Sequence, residues 1–137
     1  MTDVLHDPAA GITTADKADD DPFGWSLSID LYDCDLDTIS SGPAVAWWMV
    51  SLCERVLHME RHGDILAERF GRSPKTRGFT VGTLLTDSNA GAHFSEHRQT
   101  GHADVFSCKW YDPDEVIAFT CDFFGAQLRY QWFLERR

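Results

Sequence analysis

Ser88 directly follows Asp87, His93 stands five residues beyond the serine, and Cys108 twenty residues beyond it. These are residue types with which a chain can cut its own backbone. A serine hydroxyl in a tight turn can attack the carbonyl carbon before it and convert that peptide bond to an ester. Elimination then releases the upstream chain and leaves dehydroalanine, which hydrolyses to a pyruvoyl group at the new N-terminus. The reaction needs a proton shuttle and stabilisation of a tetrahedral oxyanion. His93 and the hydroxyl of Thr80 are candidates, since strands on either side of the turn could bring both back to Ser88. A pyruvoyl ketone would hold a substrate amine as a Schiff base and act as an electron sink for decarboxylation. Cys108 could then protonate the resulting carbanion. Each residue also has a plainer reading: a turn serine, a satisfied structural histidine, a buried strand cysteine.

Several elements must position these groups. Trp25 to Tyr32 alternates small or polar with apolar residues, the period of a half-buried strand. Ser40-Ser41-Gly42-Pro43 supplies cap candidates and a first-turn proline. From Ala44 to Met59 the apolar positions Val45, Trp48, Met49, Leu52, Val56 and Met59 recur at helical spacing. Of the adjacent Trp47 and Trp48, only one can point inward, and Trp48 fits that stripe. Asp64 to Phe70 fits either a short strand or a helical turn. Phe79 to Thr86 reads as a strand, Asp87 to Gly91 as a tight small-residue connection, and Ala92 to Ser95 as the start of another strand. Glu96 to Gly101 reads as a polar loop and Ala103 to Trp110 as β-leaning. Asp112-Pro113-Asp114-Glu115 opens a helix that Gly125 stops, and Gln127 to Phe133 is the last strand. The order β-α-β-β-β-α-β predicts an α+β fold, a two-layer sandwich with an antiparallel sheet and helices on one face.

Composition narrows the function classes. At 137 residues with 43% apolar content, five Trp and nine Phe, the chain has the make-up of one globular domain. We expect that domain over 23–137, behind a flexible acidic tail over 1–22. A net charge of −10 argues against a nucleic-acid partner and suits a cationic small-molecule substrate. No apolar run has the length of a membrane span and no signal-peptide plan opens the chain, so the expectation is a cytoplasmic protein without a membrane partner. Cys34, Cys53, Cys108 and Cys121 form no CxxC pair and should be free thiols. His93, His97, His102 and Cys108 lack a well-placed acidic ligand, so no metal is expected.

Gly24-Trp25-Ser26-Leu27-Ser28-Ile29-Asp30-Leu31-Tyr32-Asp33-Cys34 resembles the opening strand of the prokaryotic S-adenosylmethionine decarboxylases, a G-x-x-L-x-x-D-L-Y-x-C pattern. Gly78 to Leu85 is similar to the strand leading into that family's self-cleavage site, and Ala103 to Cys108 to the strand that holds its catalytic cysteine. The resemblance runs from Gly24 to Ala126, with Ser88, His93 and Cys108 in ungapped register. It implies a pyruvoyl cofactor made from Ser88 by cleavage between 87 and 88. It also implies processing roles for Asp87, Ser88, Thr80 and His93, and catalytic roles for Ser88, His93 and Cys108. The implied activity is decarboxylation of S-adenosylmethionine in polyamine (spermidine) biosynthesis, by a homodimer with sites near the subunit interface. Three positions depart from the family pattern: Asp87 replaces a glutamate, Asn89 a histidine, and Ser95-Glu96-His97 a Trp-Pro-Glu segment whose glutamate holds the substrate's ribose. Glu96 and His97 are therefore the substrate-binding candidates. The altered segment also admits a pyruvoyl decarboxylase of ornithine or arginine, and the changed neighbours of Ser88 an unprocessed ligand-binding relative.

Overall fold

A computed structural model describes residues 21–137. The expected acidic tail lies outside the described residues, except for its last two positions. Six strands form one sheet: β1 (Gly24–Tyr32), β2 (Arg61–Phe70), β3 (Gly78–Leu85), β4 (Ser88–Ser95), β5 (Thr100–Ser107) and β6 (Gln127–Arg136). Their spatial order is β2-β3-β4-β5-β1-β6, and every neighbouring pair is antiparallel. The helices α1 (Leu36–Ile39), α2 (Gly42–Ser51) and α3 (Pro113–Phe124) complete the α+β fold.

Local chemistry sets the helix ends. The Ser41 side chain caps α2 by accepting from the Ala44 N–H, with Pro43 in the first turn. Asp112 caps α3 through the Asp114 N–H, and Gly125, at φ 59°, ends it in the left-handed conformation that glycine adopts without a Cβ clash. After α2 the helix widens into a π-turn over Leu52–Val56. His58, at φ 54°, then turns the chain out toward β2.

The core lies between the helices and one sheet face. Trp48 is 1% exposed while its neighbour Trp47 is 51% exposed, as helical spacing requires. The ring centroids of Trp48, Phe94 and Phe124 stand 4.8 to 6.0 Å apart, and Trp48 donates its indole N–H to Thr120 on α3 at 3.2 Å. A Cβ on Gly78 would sit 1.8 Å from the Phe94 carbonyl, so β3 reaches this position only with glycine.

Strand boundaries depart from the expected ones in three places. Arg61–Phe70 is a full strand at the sheet edge; its exposed face left no continuous apolar pattern to read. The Asp87–Gly91 connection is shorter than expected, because Leu85 pairs with Ser88 and leaves only Thr86 and Asp87 in the turn. Asp87 makes that turn possible by taking φ 61°, a left-handed conformation Asp tolerates better than most residues. Finally, β5 starts at Thr100 and stops at Ser107.

The face away from the helices carries no covering element among the described residues. One row crosses all six strands there in register: Glu68, Thr80, His93, His102, Asp30 and Tyr130. Gly82 and Gly91 stand side by side in the next row. Leu66 and Leu84 adjoin these glycines on the same face, and Phe70, Trp132 and Leu134 lie exposed on it further out, on the two edge strands.

Candidate active site

The Asp87–Ser88 step is held from both sides of the β3–β4 hairpin. From the β2 side, the Thr86 N–H donates to the Glu60 carbonyl at 3.1 Å, and the Thr86 hydroxyl is 2.7 Å from His62 Nε2. From the β5 side, the Cys108 N–H donates to the Asp87 carbonyl oxygen at 3.4 Å. The Ser88 hydroxyl donates to Ser107 Oγ at 2.8 Å. The Asp87 carbonyl therefore already has a backbone donor of the kind that stabilises an oxyanion, at the long end of hydrogen-bond distance.

A cavity of about 330 Å³ opens beside this step, lined by His58, Met59, Glu60, Thr86, Asp87, Cys108 and Lys109. The left-handed His58 places Met59 and Glu60 along one wall, and Lys109 Nζ ties the walls together by donating to the His58 carbonyl at 3.1 Å. Cys108 is a partly exposed free thiol of this wall. Cys34 and Cys53 are instead buried, and burial pushes their thiols up to about 12 and about 11. Those two pack; Cys108 is the thiol within reach of the Asp87–Ser88 step.

Thr80 and His93 meet each other but not Ser88. They are cross-strand partners, with Thr80 Oγ1 2.7 Å from His93 Nδ1. The other ring nitrogen, Nε2, is 2.7 Å from the Thr76 carbonyl. A carbonyl can only accept, so in the neutral ring Nε2 carries the proton and Nδ1 accepts from the threonine hydroxyl. The pair can take up a proton at Thr80 Oγ1 while its own proton passes to the ring. The expectation that the hairpin returns this pair to Ser88 is corrected by strand geometry. Five residues along β4 is about 17 Å, and an odd offset places His93 on the bare face while Ser88 faces the helix side.

Glu96 and His97 lie further still, in the turn after β4, eight and nine residues from Ser88. Both Glu96 oxygens are taken by Arg69, at 2.8 and 2.6 Å. Hydrogen bonding from that guanidinium holds the Glu96 carboxyl below its ordinary range. Within one chain, then, Glu96 belongs to an ion pair remote from Ser88. His97 is exposed nearby.

Several lining residues carried no sequence signal. His58, Met59 and Glu60 reach the cavity through the π-turn and a left-handed residue, which no periodicity announces. Ser107 and Lys109 were legible in principle as neighbours of Cys108, since strand alternation sends Ser107 to the buried face. Among the described residues no three His, Cys, Asp or Glu side chains are grouped to hold a metal ion, and no helix is long and apolar enough to cross a membrane.

A six-stranded antiparallel sheet backed by helices on one face is also the fold of a solved decarboxylase. The adenosylmethionine decarboxylase of Aquifex aeolicus VF5 superposes with a TM-score of 0.69 at 17% identity, over 84% of this chain and 91% of that one. The family model described as S-adenosylmethionine decarboxylase matches residues 25–137. The chain belongs to the S-adenosylmethionine decarboxylase family. No curated protein sequence matches it significantly.

Proposed function

We propose that the chain is a proenzyme that cleaves itself between Asp87 and Ser88 and then decarboxylates S-adenosylmethionine for polyamine synthesis. The observation that carries this reading is the hold on the scissile step: the Asp87 carbonyl accepts from the Cys108 N–H, beside a nucleophile fixed by Ser107. Ser88 Oγ attacks the Asp87 carbon and the C–N bond breaks, leaving an ester and a free amine. Loss of the Ser88 Cα proton expels the Asp87 carboxylate. Water then displaces ammonia from the dehydroalanine, leaving the pyruvoyl group.

The surrounding residues fit a group made there: Ser88 supplies its carbons, and the cavity beside it holds a free thiol, Cys108. The pyruvoyl carbonyl supplies an electron sink for a substrate amine. Cys108 delivers the proton that replaces the departing carboxylate. Glu60, on the same wall, suits a cationic substrate.

Thr80 and His93 complete the site from a second copy of the chain. This partner assignment is supported by geometry: the pair sits on the bare, partly apolar sheet face and cannot turn to Ser88 of its own chain. Face-to-face stacking would cover Leu66, Leu84 and Trp132 and bring one copy's Thr80–His93 pair to the other's hairpin, whose backbone is reachable from either face. Ser88→Ala tests the core of the reading. It should abolish both cleavage and carbon dioxide release, and normal cleavage in that variant would rule the mechanism out.

A second reading concerns the substrate alone. With Glu96 committed to Arg69, no free carboxylate stands where the family's ribose-binding glutamate is expected. That favours a smaller amine, ornithine or arginine. Carbon dioxide release from each substrate separates the two.

A further inference from the structure

Ser107 has no role in the mechanism as resemblance implies it, yet among the described residues it is the hydrogen-bond partner of the candidate nucleophile's hydroxyl. Its side chain is fully buried. Its hydroxyl accepts from Ser88 Oγ at 2.8 Å and from the Lys109 N–H at 2.9 Å, and it donates toward Met59 Sδ at 3.6 Å. Two lone pairs and one proton are thereby all used. The backbone beneath it is fixed from both sides, because Ser107 pairs with Trp25 on β1 and with Ser88 on β4. Gly24 packs so closely there that a Cβ would meet the Ser107 carbonyl oxygen at 2.5 Å.

We infer that Ser107 is the positioning residue that selects the attacking rotamer of Ser88 and so sets the rate of self-cleavage. The inference rests on the cleavage reading above. Ser107 is not the base: its own proton points at a thioether, which cannot take a proton on. What it supplies is direction. A serine side chain has three staggered wells, and a fixed acceptor at 2.8 Å holds one of them. Consecutive residues then share the work, Ser107 orienting the nucleophile and the Cys108 N–H polarising the carbonyl it attacks. Holding both partners of a reaction in place is a rate effect on the first bond-forming step and not on the later elimination.

The test compares two shapes that differ only by a hydroxyl. Full-length chain made by cell-free translation, as wild type, Ser107→Thr, Ser107→Val and Ser107→Ala, is sampled by intact mass with and without hydroxylamine, which cleaves the ester. Ser107→Val should slow the appearance of hydroxylamine-sensitive chain by about tenfold, the loss expected for one positioning hydrogen bond. Ser107→Thr should retain a rate within about twofold of wild type; because Ser107→Val also leaves the Lys109 N–H without its acceptor and should melt lower, the rates are compared at a temperature where circular dichroism shows both variants fully folded, which separates orientation from stability. Should Ser107→Ala fail to fold, the Thr and Val pair carries the comparison. Equal ester formation in Thr and Val variants, beside a wild type that cleaves, overturns the role of Ser107 and leaves the cleavage reading standing. A wild type that forms no ester overturns both.

Discussion

The two ends of β4 are built on different plans. At its start, Ser88 and the carbonyl before it are gripped by two consecutive residues, Ser107 and Cys108, with the Lys109 N–H holding the Ser107 hydroxyl in turn. Further along, His93 faces outward beside Thr80, and beyond the strand's end Glu96 forms an ion pair with Arg69. One end is preassembled by its own chain, with the candidate nucleophile, a backbone donor on the carbonyl before it and a free thiol side by side. The other presents Thr80 and His93 on a face that no element among the described residues covers. The lesson is that residues close in sequence and matched in spacing need not share a site, because a strand sends alternate side chains to opposite faces.

That contrast breaks most sharply through subunit mixing. Alone, His93→Ala should lose cleavage by about 10²- to 10⁴-fold, the range for a general acid–base group. Mixed with Ser88→Ala, which keeps its own His93, the His93→Ala chain should cleave again. A mixture that stays intact would show that His93 does not act across the interface. Cys108→Ala acts at the preassembled end, where its backbone N–H survives the substitution. Cleavage should proceed, while carbon dioxide release falls by about 10²-fold, the lower end of the same range. Full turnover would remove the thiol as proton donor.

The smallest effect belongs to the far end. The Arg69–Glu96 pair, with its arginine half-exposed, should contribute little to stability. Because Arg69 depresses the Glu96 carboxyl below its ordinary value of 4.5, that contribution is complete above 4.5 and disappears as pH falls through the depressed value. Urea midpoints of wild type and Arg69→Ala should therefore differ slightly at pH 7 and converge in strong acid. A difference that grows on acidification would contradict the assignment.

How much of this the chain announces depends on the element. Alternation along Trp25–Tyr32 marked β1 and helical spacing from Ala44 marked α2, although the helix expected to reach Met59 passes into the π-turn at Leu52 and ends by Val56; Asp112-Pro113 with Gly125 marked both ends of α3. The edge strand β2 stayed ambiguous because its partly exposed residues show no buried stripe. The hairpin was read too long, since the left-handed Asp87 shortens it through a backbone conformation that composition does not encode. In the candidate site, Ser88 and Cys108 were legible by spacing and do come together across β4 and β5. Thr80 and His93 were legible as a pair, and the face they occupy follows from counting residues along β4. The wall formed by His58, Met59 and Glu60 depends on a helix irregularity and could not be read in advance.

The central claim is that this chain cuts itself at Asp87–Ser88, and the intact mass of the purified wild-type protein tests it most directly. Self-cleavage yields two fragments, residues 1–87 and 88–137, with the smaller resistant to Edman degradation because its first residue no longer has an amine. A single species at the full-length mass would contradict it.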